Sequence, residues 1–506
     1  MGCYFQCQAK NRFSGSPIAI LAGASAPLSG QIQVGVLGLQ GSDRNDFENN
    51  VVGIRATANS KVEIFSNDFE NSNFDIAING TTQSAITDNA FAASAAGNQF
   101  ESTGDNSNQN LCNTYSGNTV GTNIVGKNTG FLFRQEDYST IKHDLFIEGL
   151  AIASGEIQVF QGQPEAARWN YFSAGKPENI KTSTVAPNNN TIPFWYFHPD
   201  PAIDARLKPK CPLNETCVPN SNFYNWETGG GGISNCLYPA PPENPPCATR
   251  PCLESVQLEI AQKTAQYGQN PTDALKGELQ SLVTQREFIT DEIIRQYRGS
   301  NDWPAVETLL NEDLNPANRR RLVGAKLEQK QHTAAAALLQ AFPQNTADDQ
   351  YFVQVQTLNV ARLSDPEFAL SGAQEASLLA IAEAPTPEAG YAQALLGILT
   401  GQVFMPRLPE LDTERSEAPN KVTGPSGIEI MPNPASDVIQ MRFVPSAIQQ
   451  TIDLRSLATG TLLQSLDVSG QDTLALPVRH LPSGMYLLVL REQGRVVAHQ
   501  KVVVQH

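Results

Sequence analysis

The chain of 506 residues is long enough for about three domains with sizeable cores. Its 35 basic and 51 acidic residues leave a formal charge of −16, which repels polyanions such as nucleic acid or an anionic membrane and leaves neutral or cationic partners open. No run of about 18 or more apolar residues is present, so nothing reads as a transmembrane helix.

At the N-terminus, Lys10 and Arg12 precede the mildly apolar run from Ile18 to Ala26, and Ala24-Ser25-Ala26 has the small-x-small form of a cleavage site. That leaves a signal peptide open. Gly23 and Ser25 dilute the run, however, and Asn11-Arg12-Phe13 matches a motif that recurs downstream. The favoured reading is a chain that begins partway through a larger domain.

Internal repetition dominates the first third. Asn45-Asp46-Phe47, Asn67-Asp68-Phe69 and Asn89-Ala90-Phe91 recur at a step of 22 residues. Short runs rich in β-formers, such as Val62–Phe65 and Asp75–Ile78, lie between them and are bounded by Asn, Gly and Ser. This step suits one turn of a parallel β-coil, in which equivalent residues stack about 4.8 Å apart. Phe47, Phe69 and Phe91 then form an internal aromatic stack. Asn45, Asn67 and Asn89 sit at a turn, where Asn tolerates left-handed backbone and its amide can join a hydrogen-bonded ladder. On these motifs the segment resembles the right-handed parallel β-helix proteins with N-x-F coils, of the pectin-lyase-like superfamily. The resemblance covers about residues 10–165 and implies a fold more than an activity.

Residues 166–252 are rich in Pro, Asn and aromatics and carry Cys211, Cys217, Cys236, Cys247 and Cys252. Such clustering suits disulfides in an oxidising compartment; the spacing is not C-x-x-C and His198 is the only histidine nearby, which disfavours zinc. The segment reads as an irregular, disulfide-tied cap over the end of the β-helix, followed by a Pro-rich linker. Exposed aromatics could instead stack on carbohydrate.

Residues 253–405 switch to a helical period. Leu275, Leu279, Leu282, Ile289, Ile293 and Tyr297 share one face, and Asp302-Trp303-Pro304 reads as an N-cap with an early proline. Helices are expected around 304–313, 317–342, 347–363, 373–384 and 387–400, as a solenoid-like array acting as a spacer or protein-contact module. Residues 406–427, with several prolines and charges, form a linker.

From residue 428 an alternating pattern returns and predicts a small antiparallel β-sandwich of about seven strands. Met431-Pro432-Asn433-Pro434-Ala435, then Asp453-Leu454, then Leu481-Pro482-Ser483-Gly484-Met485-Tyr486, then Gln500-Lys501-Val502-Val503-Val504 occur in order. On these motifs the segment resembles the type A C-terminal sorting domain of the type IX secretion system. The carrying positions are Pro432, Asn433, Pro434, Ala435, Gly484, Tyr486, Lys501 and Val502. The resemblance implies a partnership with that secretion machinery, export from a Gram-negative bacterium, removal of the module, and release or attachment to surface polysaccharide.

Catalytic signals are poor. Gly121–Asn128 nearly spells a phosphate-binding loop, but Asn128 replaces the hydroxyl that would hold magnesium and a strand follows. Asp43, Asp46, Asp68, Asp75 and Asp88 are available for polysaccharide cleavage, with Asp46 and Asp68 neighbours on successive coils, yet no coil supplies a matching Arg, Lys or His. No Gly-x-Ser-x-Gly elbow is present. No cofactor is expected; surface aspartates leave structural calcium open, although no EF-hand or nonapeptide pattern occurs. The expectation is thus a multidomain, non-catalytic surface or secreted protein that serves adhesion or glycan contact. The rivals are a polysaccharide lyase or hydrolase with active coils upstream, and a purely architectural protein.

Overall fold

The computed structural model describes residues 4–7, 10–38, 43–148, 156–158, 160–161, 169–176, 178–183, 195–198, 204–209, 225–228, 247–409, 429–431, 435–443, 450–456, 462–482, 484–492 and 495–504. Its N-terminal part is a parallel β-solenoid with three faces. The first face stacks six strands from Tyr4–Cys7 to Phe131–Arg134, and the second stacks six from Arg12–Ser14 to Asp137–Ser139. The third stacks seven, from Ile18–Gly23 through Val52–Thr57, Phe74–Asn79, Ala96–Glu101, Val120–Val125 and His143–Glu148 to Ile180–Ser183. The run that resembled a signal peptide is therefore largely the first strand of the third face, with Ala24 and Ala26 buried beyond it.

The repeat sets the register. Asn45 pairs with Asn67, Asp46 with Asp68 and Phe47 with Phe69; Phe69 in turn pairs with Phe91. Inside the coil, rings stack in one column: Phe13–Phe47 at 4.7 Å, Phe47–Phe69 at 4.7 Å, Phe69–Phe91 at 5.2 Å, Phe91–Tyr115 at 5.0 Å and Tyr115–Tyr138 at 4.6 Å. All from Phe47 to Tyr138 are buried, so the column removes large apolar area from water and adds ring–ring attraction.

At the corner beside it runs a ladder of amides. Nδ2 of Asn11 donates to Oδ1 of Asn45 at 3.0 Å, Asn45 to Asn67 at 2.8 Å, Asn67 to Asn89 at 3.0 Å and Asn89 to Asn113 at 3.1 Å. Each Asn from 67 to 113 also donates to a strand-end carbonyl, such as Val34, Ile64 or Ile86, so the turn's backbone stays satisfied although buried. The next rung is Glu136, which accepts from Asn113 Nδ2 at 3.1 Å. Burial pushes its carboxyl up to about 8, despite hydrogen bonds from Tyr115 and Asn113 that favour the anion.

Parallel strands continue beyond residue 165, the expected end of the β-helix. Ile180–Ser183 pairs with His143–Glu148, while Trp195–His198 joins Phe160–Gln161 and Asn225–Thr228. Phe172 and Tyr196 are buried and extend the aromatic core. The Pro- and Asn-rich insertions between these strands break the constant step by which coils are recognised in the sequence. Cys247 and Cys252 form a disulfide at the start of the helical region. Cys112 is also disulfide-bonded; since Cys7 is free and the other two pair together, its partner lies outside the described residues. Cys211, Cys217 and Cys236 lie outside them too.

Eight α-helices follow among the described residues: α1 Arg250–Gln269, α2 Asp273–Gly299, α3 Trp303–Glu312, α4 Pro316–Glu328, α5 His332–Gln340, α6 Ala347–Ser364, α7 Gly372–Ala382 and α8 Ala389–Thr400. None is long and apolar enough to cross a membrane. Asp302, Asn315, Thr346 and Ser371 cap α3, α4, α6 and α7 with their side chains. The stretch expected as one helix over 317–342 is two, because the chain turns at Lys330, whose φ of 59° is left-handed.

The array lies against the solenoid. A Cβ on Gly324 would come within 2.3 Å of the Pro27 carbonyl, and one on Gly80 within 2.7 Å of Gly390 Cα, so glycine is what permits this approach. Arg298 donates to Leu28 O at 2.8 Å, and Gln356 and Asn359 both donate to Ser25 O at 2.9 Å.

Among the described residues the C-terminal part has seven antiparallel strands in two sheets, one of three strands and one of four. Within Gly484–Glu492, Tyr486, Leu488 and Leu490 face the sandwich core. The alternate residues Leu487 and Val489 pack on Val51, Val52, Phe74, Ala77 and Ala96 of the solenoid. A strand buried on both sides accounts for the unbroken apolar run Tyr486–Leu490.

Candidate functional site

The seam between solenoid and helices opens into a cleft of about 270 Å³. Solenoid turns contribute Ser60, Thr81, Asp105 and Asn106, and the short strand Lys127–Asn128 contributes Lys127; α2, α4 and the segment before α8 contribute Arg286, Glu287, Asp291, Arg320, Arg321 and Glu388. The helical wall is held by buried ion pairs. Arg321 is paired with Glu287 and, at 2.8 Å, with Asp291. Burial alone would raise the Glu287 carboxyl, but Arg321 and Arg286 overcome it and hold it below its usual range.

Arg320 reaches Asp349 at 2.9 Å and Glu388 at 3.0 Å, with its guanidinium over the rings of Phe342 and Phe352. Glu388 is pushed up to about 7. Burial is the main cause; Arg320 opposes it, but that cation is shared with Asp349, and Asp348 and Asp349 add like charge. Oε2 of Glu388 has no hydrogen-bond partner among the described residues. The cleft thus offers fixed cations, amide and hydroxyl groups, and a carboxyl that exchanges its proton near neutral pH.

The solenoid aspartates are placed elsewhere. Asp43 pairs with Lys10 at 2.9 Å. Asp75 is fully buried and accepts from Ser94 Oγ at 2.7 Å, and burial raises its carboxyl well above the usual range. Asp46 and Asp68 are neighbours on the second face, and Arg44 bridges Asp68 at 3.1 Å and Asp88 at 3.0 Å. The expectation that no basic residue accompanies this row is therefore wrong. Arg44 stands at the turn position that Ser66 and Asp88 fill one and two steps of 22 residues later, so the period carries the position but not the charge. Lys127, from the near-match to a phosphate loop, lies in a strand pair and faces Asp105 at 3.6 Å. Among the described residues no group of three or more His, Cys, Asp or Glu side chains is placed to hold a metal ion.

In the C-terminal sandwich, motifs far apart in sequence meet. Ala435 is buried, donates its N–H to Val503 O at 2.8 Å and bridges to Val504. Gly484 pairs with Val504, Tyr486 with Val502 and Leu487 with Lys501. The Tyr486 hydroxyl donates to Pro482 O at 2.6 Å, pinning the turn that leads into its own strand. Pro432, Asn433 and Pro434 lie outside the described residues. Residues 429–505 match the family described as a secretion system C-terminal sorting domain.

This segment is a C-terminal sorting domain.

Its presence indicates a protein secreted to the cell surface or the extracellular space by type IX machinery. No curated protein matches the chain. The sorting domain touches the solenoid through Leu487 and Val489 and through Arg491, whose Nη2 donates to Asn49 O at 3.3 Å. The sequence reading missed this contact, and it missed every cleft residue on the helices. The unbroken apolar run at Tyr486–Leu490 was an available signal for the first. The cleft residues had none, since they converge from positions as distant as Asp105 and Glu388.

Proposed function

We propose that the exported protein acts without catalysis at the outer surface, as an adhesion or glycan-contact protein, and that the seam cleft is its contact site. The observation that carries this reading is the cleft itself, where charged, amide and hydroxyl side chains are fixed by buried ion pairs around a small cavity. Saccharide hydroxyls are matched by such convergent polar groups, and a rigid wall lowers the entropy lost on binding. The formal charge of −16 favours a neutral or cationic glycan over an acidic one.

The test is a glycan array probed with the full chain, alongside Asp105→Ala and Lys127→Ala, whose side chains are partly exposed on the solenoid wall. Binding to neutral or amino-sugar glycans that weakens in both variants supports the reading. No binding to any glycan supports a purely architectural protein instead. A second reading, acid–base cleavage of a polysaccharide, draws support from Glu388, which titrates near 7 in the same cleft. Release of reducing ends that is lost in Glu388→Gln would favour it.

A further inference from the structure

A separate hollow of about 250 Å³ lies where the end of α8 and residues 401–404 cross the third face of the solenoid. Arg55, on strand Val52–Thr57, lines it. Its position on the strand points it outward beside Leu21 and Ala77, and α8 covers it to 3% exposure. One terminal nitrogen, Nη2, donates to Gln393 Oε1 at 2.9 Å; Gln393 is itself oriented by donating its amide to Ala382 O at 2.8 Å. The other, Nη1, is buried and has no hydrogen-bond partner among the described residues. Glu101 acts on the guanidinium only at a distance and is paired with Arg407 at 2.8 Å.

A buried guanidinium without a counter-ion is costly, and a bound anion would relieve that cost. Apart from Gln393 and Gln402, the rest of the hollow is apolar or small, with Phe404 among its walls. At the same hollow, Leu21 and Ile398 are each 55% exposed, large apolar groups left in solvent. The volume falls just below the ~300–1,000 Å³ of typical ligand sites, so the occupant is small.

We propose that this hollow binds a small amphiphilic carboxylate, its carboxylate on Arg55 and its apolar body against Phe404, Leu21 and Ile398. A neutral or cationic molecule of the same shape leaves Nη1 unpaired and binds more weakly.

The test is calorimetric titration of the full chain with sodium octanoate, and with octan-1-ol and octylamine at the same concentrations. The expected result is saturable 1:1 binding of octanoate, at least tenfold weaker for the alcohol and the amine. Arg55→Met, which keeps the length of the side chain and removes its charge, weakens octanoate binding at least tenfold. Leu21→Asp, on the exposed rim, places a negative charge at the mouth and does the same, so the proposal stays testable should Arg55→Met fail to fold. Absence of saturable octanoate binding, equal binding of octan-1-ol, or undiminished octanoate binding in either folded variant overturns the proposal.

Discussion

Replacing Glu136 by Gln should stabilise the solenoid at alkaline pH and leave it nearly unchanged at acid pH. Glu136 occupies a rung that Asn fills in the coils before it, and it is fully buried. Its carboxyl is pushed up to about 8 from an ordinary value of 4.5, chiefly by burial. Between these limits the folded chain keeps a proton that the unfolded chain has released, so stability falls as pH rises through the window. The slope is roughly 1.4 kcal/mol per pH unit, which accumulates to roughly 4–5 kcal/mol at most above pH 8. Glutamine keeps an acceptor for Asn113 and has no charge to bury. Chemical denaturation of both proteins at pH 5, 6.5 and 8 measures the difference, with hydrogen exchange to follow the coils around Asn113 and around Asn170, whose Oδ1 accepts from Glu136 N–H at 3.0 Å. Asp75 and Glu388 titrate in both proteins and cancel. An advantage of the variant that grows by several kcal/mol from pH 5 to pH 8 is expected. A pH-independent difference would refute the reasoning, because it would mean that Glu136 is ionised without penalty.

Other consequences follow from the same packing. Phe69→Ala opens the aromatic column between Phe47 and Phe91 and should cost about 3–5 kcal/mol by denaturation; a loss below about 1 kcal/mol would mean that the column does not close-pack. Arg321→Met leaves the buried Glu287 and the half-buried Asp291 without their shared cation and should cost about 3–5 kcal/mol, partly recovered when Glu287→Met is added. Joint replacement of Leu487→Asp and Val489→Asp should detach the sorting domain from the solenoid while its own core, built from the alternate residues, stays folded. Solution scattering would show a larger radius of gyration for that variant; an unchanged radius would contradict the contact.

The parts of the fold visible in the sequence are those in which each side chain repeats its environment. The Asn and Phe of successive coils stack on themselves, so a step of 22 residues in the sequence is the strand register itself. The alternation in 438–442 likewise marks a strand with one buried side. The seam could not be read this way. Its closest approaches use the Ser25 and Pro27 carbonyls and the bare Cα of Gly80 and Gly390, which carry no side-chain signal. Glu136 was hidden for another reason: it keeps the ladder position but changes the residue, after a step that has drifted to 23. Arg44 fills a turn position whose residue changes from coil to coil, and Glu388 lies outside the repeat altogether.

The central claim is that the C-terminal sorting domain exports the rest of the chain. The most direct measurement fractionates cells making the full chain or a version lacking residues 429–506, and determines the C-terminal residue of the recovered protein by mass spectrometry. The account predicts full-chain protein on the cell surface or in the medium, ending within the 406–427 linker, and the truncated version retained inside the outer membrane. Intact protein ending at His506 in the cytoplasm of otherwise secreting cells, or export of both versions alike, would contradict it.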